Sequence, residues 1–320
     1  PACLKADPIR VVRLVSPVGK ESSVLMKITL LGTGSPVPSL KRASAGYMVE
    51  TGDDVVLIDH GPGTFQRMME AGVSPTNVTH VVFSHLHFDH CLDFIRLFLH
   101  RWDISPPNTQ KLQVYGPPGL KHFVERLFGE DGAFKLDLTA RTNHENSLDI
   151  YQKRGGTPPR PWPEAAITEV SESDVIKGTD WQIKFANVPH HQPYLVSYGV
   201  RFESGGGIFT YSSDVTVPVE KLPAKPMYDL AKDADVLVHY LNSFDVSREM
   251  ASQDSENIKQ RTVQQTIGEL ARDCNVKTLV TSHHGPLIDT DGVRERVIAD
   301  IAAVFKGRLV WGEDLMTFEV

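Results

Sequence analysis

Ser84-His85-Leu86-His87-Phe88-Asp89-His90 sets three imidazoles and one carboxylate within six positions, directly after the run Val78-Thr79-His80-Val81-Val82-Phe83. That run is rich in β-branched residues and reads as a buried strand, so the cluster lies in the turn at its C-terminal end. Neutral imidazole and carboxylate are ligand types that suit Zn²⁺ and similar first-row metals. His85 and His87 stand two apart and can point the same way, whereas Asp89 and His90 lie past the turn and can face a second ion. A polar loop gathering histidines by chance is the plain alternative, and H-x-H-x-D-H at a strand end argues against it.

Working outward, three more predicted strand ends carry candidate ligands. Trp181–Val188 leads to His190, the hairpin strand Ile208–Tyr211 to Asp214, and Lys277–Thr281 to His283. His191 and His284 adjoin two of these and are the alternates. Asp235–Val238 delivers His239 in the same manner. Upstream, Lys27–Gly32 reads as a strand, and Thr51-Gly52-Asp53-Asp54 as a hairpin turn between Ser44–Glu50 and Val55–Asp59. Helices are expected over 91–101, 120–128, 257–272 and 293–305. Alternating strands and helices predict a layered α/β domain.

Residues 129–165 stand apart. They show little periodicity and end in Arg154-Gly155-Gly156-Thr157-Pro158-Pro159-Arg160-Pro161-Trp162-Pro163. Prolines there favour extended chain, and a long irregular insertion in a compact domain is a surface loop or a functional lid. The lid reading places Tyr151, Arg154 and Trp162, with His144 and Arg160 beside them, against substrate.

At 320 residues the chain can bury an ample core without covalent staples. A hydrophobic share of 41% and a charged share of 23% are ordinary for a globular protein. A formal net charge of −7 argues against a generally basic, nucleic-acid-coating surface. Cys3, Cys91 and Cys274 are too few and too scattered for a disulfide framework, which fits a reducing, cytoplasmic setting. Cys91 follows the metal motif but reads as a small buried hydrophobe. No run approaches the roughly 18 apolar residues that a membrane span needs.

His85-Leu86-His87-Phe88-Asp89-His90 resembles the signature of the metallo-β-lactamase superfamily of metallohydrolases. Leu30-Leu31-Gly32-Thr33-Gly34-Ser35-Pro36-Val37-Pro38-Ser39 with Arg42, and Leu57-Ile58-Asp59-His60-Gly61-Pro62-Gly63-Thr64, look like the first two motifs of its ribonuclease Z and arylsulfatase-like branch. The resemblance starts near Met26. Residues 1–25 are therefore expected to be a leader or an extension outside a single domain over 26–320.

The resemblance implies an αββα sandwich of two mixed sheets flanked by helices. It implies two Zn²⁺ per chain, or Mn²⁺ or Fe, the first held by His85, His87 and His190, the second by Asp89, His90 and His283, with Asp214 bridging. Asp59 would orient ligating histidines from behind. A bound Zn²⁺ lowers the pKa of water from ~15.7 to ~7, so two ions sharing a hydroxide can attack an ester without a serine or cysteine nucleophile. Asp89 would also accept a proton, and His239 would donate one to the leaving group or support the site. The implied function is a dinuclear hydrolase of a small phosphodiester, sulfate ester or lactone. The alternatives are a ribonuclease Z-like tRNA 3′-processing phosphodiesterase, a β-lactam hydrolase, or a metal-binding sensor. Three departures weaken tRNA processing. Tyr240 stands where ribonuclease Z relatives carry glutamate, and His190 to Asp214 leaves room for a hairpin but not for a basic gripping arm. Gln260-Arg261-Thr262 also lacks a histidine expected near there. The expected partner is a small anionic ester; nucleic acid is not favoured, no membrane is expected, and a homodimer is allowed.

Overall fold

The structure, a computed structural model, describes residues 11–13, 26–216, 225–241 and 262–320. Its first half runs β1 (Val11–Arg13), β2 (Lys27–Gly32), β3 (Gly46–Thr51), β4 (Asp54–His60), α1 (Thr64–Glu70), β5 (His80–Val82), α2 (Phe88–Cys91), α3 (Asp93–Ile104), β6 (Leu112–Gly116), α4 (Leu120–Phe128), α5 (Lys135–Asn143), α6 (Glu145–Lys153) and β7 (Ala165–Glu169). The second half runs β8 (Val175–Lys177), β9 (Trp181–Asn187), β10 (Tyr198–Ser204), β11 (Gly207–Tyr211), α7 (Lys225–Ala231), β12 (Val236–Tyr240), α8 (Val263–Asp273), β13 (Thr278–Ser282), α9 (Val293–Val304), β14 (Arg308–Trp311) and β15 (Thr317–Glu319).

Two mixed sheets result. One has the order β1-β15-β2-β3-β4-β5-β6-β7, the other β14-β13-β12-β11-β10-β9-β8. Alternation explains how they face each other: Trp181, Ile183 and Phe185 of β9 are buried between the sheets while Gln182 and Lys184 look outward. Central strands are apolar throughout because both faces are covered. Along β12, Val236 and Val238 enter the layer between the sheets, and Leu237 meets α7, α8 and α9 on the other side. A third cluster joins the outer face of the first sheet to α1, α3 and α4 through Leu57, Phe65, Phe83, Phe94 and Phe128. Each such buried side chain contributes about 1.5–3 kcal/mol. The αββα sandwich is thereby the observed fold.

Two expectations meet a different outcome. Val11–Arg13 pair in parallel with Thr317–Glu319 at the edge of the first sheet, so part of the 1–25 stretch adds to that sheet; its other residues lie outside the described ones. Residues 129–165, expected to be irregular, contain α5 and α6. These helices left no apolar stripe to read because α6 buries no residue and α5 buries Leu138 alone. Local charge pairs one turn apart hold them instead: Lys135–Asp131, Arg141–Asp137 and Lys153–Asp149. Such exposed pairs are individually weak and screened by solvent.

The strands bring their C-terminal ends to one edge of the sandwich. There β5 leads into Ser84–His90, β9 into Val188–Gln192, β11 into Ser212–Asp214, β12 ends at His239 and Tyr240, and β13 leads into His283. Of the 257–272 helix expectation, Val263–Asp273 is observed, with Thr262 as its N-cap and Gln265 closing a capping box.

Candidate metal centre

Two groups of ligand atoms converge where the loops meet. His85, His87, His190 and Asp214 form the first, and Asp89, His90, Asp214 and His283 the second. In the first, His87 Nδ1 lies 3.1 Å from His85 Nε2 and 3.2 Å from His190 Nε2. In the second, Asp89 Oδ2 lies 3.3 Å from His283 Nε2 and 3.4 Å from His90 Nε2. Asp214 Oδ2 joins both, at 3.1 Å from His283 Nε2, 3.2 Å from His90 Nε2 and 4.0 Å from His85 Nε2.

The hydrogen bonds behind these rings set which nitrogen keeps its lone pair. Asp59 Oδ1 accepts from the Ser84 backbone N–H at 2.8 Å, and its Oδ2 accepts from Ser84 Oγ at 2.7 Å and from His90 Nδ1 at 2.8 Å. With its proton given to Asp59, Ser84 Oγ accepts from His85 Nδ1 at 3.0 Å. One buried carboxylate thus orients two rings, one directly and one through a hydroxyl, and leaves Nε2 of each facing inward. On the other rings, His190 Nδ1 meets Thr216 Oγ1 at 3.2 Å and His87 Nε2 meets His191 Nδ1 at 3.2 Å.

The backbone is bent to make this arrangement. Asp59, Ser213 and His283 have φ of 57°, 53° and 64°, the left-handed region that costs a non-glycine residue about 1–3 kcal/mol and concentrates at functional sites. Nothing in the residue types announces those angles.

Electrostatics divides the two groups. Burial, reinforced by the His90 charge, pushes His85 well below its ordinary value, and burial holds His190 down to about 4 and lowers His87. Those rings are neutral at pH 7 and ready to ligate. Burial works against charge on His90 and His283 too, but Asp214 outweighs it, with Asp59 helping at His90. His90 is raised well above the usual range and His283 to about 9. Asp214 and Asp89 are held low despite burial, chiefly by His283 and His90. Protons therefore stand in the second group where a cation would go.

The residues fit such a cation. Asp214 Oδ1 is buried without a hydrogen-bond partner, a state that ordinarily costs about 1–3 kcal/mol and that ligation would relieve. The fit has a measurable consequence. Loading zinc at pH 7 is expected to release about two protons, from His90 and His283. By the same raised values, these two histidines stabilise the metal-free fold fully below about 6.5, and that stabilisation is lost as pH rises through about 9 for His283. Calorimetric titration in buffers of different ionisation enthalpy checks this; proton release that does not change between pH 6 and 10 would contradict it.

All seven expected ligands come together, and the alternates do not join them. His191 stacks on the His190 ring at 4.1 Å and its Nδ1 meets His87 Nε2, outside both groups of candidate ligand atoms. His284 is buried against Trp311, its ring 4.1 Å from the indole, with Nε2 on Thr281 Oγ1 at 3.0 Å. His239 is buried, its Nδ1 donates to the Tyr240 carbonyl at 2.7 Å, and burial lowers it to about 4. The sequence reading did not single out Ser84, Ser213 or Thr216, since hydroxyls at strand ends are too common to signal a role.

The expected substrate residues of the insertion require correction. Arg154 Nη1 donates to the Asp103 carbonyl, Arg160 Nη2 bonds Asp103 Oδ1 at 2.9 Å and its guanidinium lies 3.9 Å from the Trp102 ring, and Trp162 Nε1 donates to the Phe128 carbonyl at 2.6 Å. Tyr151 packs beneath the same Arg160. Asp103 lies ten residues along α3 from Asp93, about 15 Å by helix rise. The Asp93 end of that helix, by contrast, caps Gly63 and Phe65 near the ligand loops. Arg154 and Arg160, with Tyr151 beneath the latter, therefore fasten the insertion to the far end of α3, and Trp162 fastens it to the end of α4, rather than over the candidate metal ligands.

Comparison with known proteins agrees with this geometry. The profile described as "Metallo-beta-lactamase superfamily" matches residues 41–233. A protein named ribonuclease Z from Mycobacterium marinum (strain ATCC BAA-535 / M) is 30% identical over 303 residues, covering 92% of this chain and 99% of that one. The metallo-beta-lactamase fold protein YhfI from Bacillus subtilis superposes with a TM-score of 0.63 at 18% identity, covering 93% of this chain and all of its own. Human tRNase Z, short form, gives 0.58 at 18% identity, covering 91% and 98%. With the sandwich fold and the converging histidines and aspartates in place, this chain belongs to the metallo-β-lactamase superfamily and is a metal-dependent hydrolase with ribonuclease Z homologues.

Proposed function

We propose that residues 26–320 form a dinuclear zinc-dependent hydrolase that cleaves small phosphodiesters or related esters in a reducing, cytoplasmic setting. The observation that carries the proposal is the position of Asp214 Oδ2, shared between two groups of ligand atoms. His85, His87 and His190 would hold one ion, Asp89, His90 and His283 the other. The nitrogen and oxygen donors suit zinc, and Mn²⁺ or Fe would use the same set. When bound, the pair of ions supplies Lewis acidity toward the ester and acidifies a shared water toward neutrality.

The chain's own residues do the positioning. Asp59 and Ser84 fix the tautomers of His85 and His90. Asp89 is assigned to accept the proton of the attacking water; its carboxyl is held below the ordinary carboxylate range, despite burial, by His283 and His90. His239 gives its Nδ1 proton to Tyr240 and is neutral at pH 7, so we assign it to supporting the end of β12 rather than to proton donation. Both buried thiols, Cys91 and Cys274, are free, in keeping with a reducing compartment, and no described helix is long and apolar enough to cross a membrane.

A ribonuclease Z-like phosphodiesterase is the second reading, favoured by the 30% identity over nearly the whole length of a ribonuclease Z. The test is metal analysis joined to turnover of bis-p-nitrophenyl phosphate, p-nitrophenyl sulfate, a lactone, a cephalosporin and a precursor tRNA. About two ions per chain and preference for the small diester are expected. Full activity after chelator dialysis, or with one ion bound, removes the dinuclear proposal. Preference for the precursor tRNA selects the second reading.

A further inference from the structure

Large apolar side chains exposed on a protein surface are ordinary when scattered; here three of them line a single cleft beside the His85–His90 loop. Val37 is 47% exposed, Leu40 fully exposed and Phe88 55% exposed. Phe88 stands between the ligands His87 and Asp89, Tyr194 follows His190 by four residues, and Leu287 follows His283 by four. Val37, Leu40 and Phe88 line one cleft of about 500 Å³ together with Pro36, Pro38 and Pro62. The cleft continues from the ligand loop, because Gly61 lies so close to Asp89 that a Cβ there would stand 1.9 Å from the Asp89 carbonyl oxygen.

Its charge is already committed. Behind the apolar wall, Arg42 is bonded to Asp289 at 2.6 and 2.8 Å, to Thr33 and to the Gly312 carbonyl. Arg67 is bonded to Glu70 at 2.7 Å and to Asp314 at 3.1 Å. An anionic group entering the cleft would lose water and find both guanidiniums engaged. An apolar group would lose nothing of that kind.

We infer that this cleft receives the apolar alkyl or aryl substituent of the ester whose scissile bond lies at the metal centre, with Val37, Leu40 and Phe88 setting specificity. The inference rests on the proposed ester hydrolysis and names its substrate class: amphipathic esters with one uncharged hydrocarbon arm.

The experiment uses metal-loaded full-length chain and p-nitrophenyl alkyl phosphodiesters from methyl to hexyl. Wild type is expected to gain about two- to fourfold in kcat/KM per methylene. A Val37→Ser, Leu40→Ser double variant should lose that slope while keeping its metal content. Direct binding of 1-naphthol, followed by calorimetry, separates this inference from the ester reading. Naphthol binding that is present in wild type and lost in the variant, with no ester turned over, upholds the cleft and removes the ester reading. Turnover without chain-length preference, a slope unchanged in the variant, or absent naphthol binding overturns the cleft. So does sedimentation showing a wild-type dimer that the variant dissociates, since a second copy of the chain would then be the occupant.

Discussion

Asp214→Ala is expected to abolish turnover and to empty both metal positions, an effect larger than that of any other single substitution in the site. Among the described residues, the carboxylate is the one group common to both four-residue sets of candidate ligands, and its neighbours His85, His90 and His283 lie 3.1–4.0 Å from Oδ2. Removing an outer hydrogen-bond partner of a ligand typically costs 10–100-fold in metal affinity or activity; removing a ligand shared by two ions should exceed that range. The variant also deletes the largest influence that keeps His90 and His283 protonated, so both should become easier to deprotonate. Metal analysis, turnover and the NMR titration of His283 together check this. Retention of two ions with modestly reduced activity would show that Asp214 does not bridge.

Arg42→Ala should lower stability by about 3 kcal/mol, the lower end of the range for breaking a buried ion pair. The lower end applies because the Arg42 side chain is 6% exposed but its partner Asp289 is 16% exposed. This arginine gathers chain from three places. Its guanidinium bonds Asp289, Thr33 Oγ1 and the Gly312 carbonyl. The Thr33 carbonyl in turn accepts from the His284 backbone N–H at 2.8 Å, next to His283 with its left-handed φ. Urea unfolding measures the loss. Arg42→Lys should recover part of it, since an ammonium can reach Asp289 but cannot reproduce the forked contacts. A change below about 1 kcal/mol, typical of exposed pairs, would mean that the network does not stiffen the His283 loop.

How much of this was legible beforehand follows from chemistry that residue types carry. The histidines and aspartate after the β-branched run 78–83 are readable, because strand periodicity is local and ligand chemistry is specific; His190, Asp214 and His283, and the sandwich fold, were expected from the resemblance. The choice of His190 over His191 and His283 over His284 rested on resemblance, since adjacent histidines differ only in which way the backbone turns. At His283 that turn is a left-handed φ, invisible to composition. Residues 135–153 misled for the opposite reason: α5 and α6 lean on ion pairs and on Asp103 rather than on an apolar face. Arginines between prolines looked like substrate contacts. The partner that claims Arg141, Arg154 and Arg160 is a single aspartate on α3, about 40–60 residues earlier in the chain.

The division of ligands between the two halves has a consequence for how the molecule reaches its active form. His85, His87, Asp89 and His90 come from the first half, while His190, Asp214 and His283 come from the second, and the Asp89–His283 contact joins residues 194 apart. Contacts of such long sequence separation form late, after loop-closure entropy has been overcome. Neither group of candidate ligand atoms is complete until the two sheets have stacked. A half-folded chain would therefore offer an ion only part of either group, and metal capture would be the closing step of assembly rather than its seed.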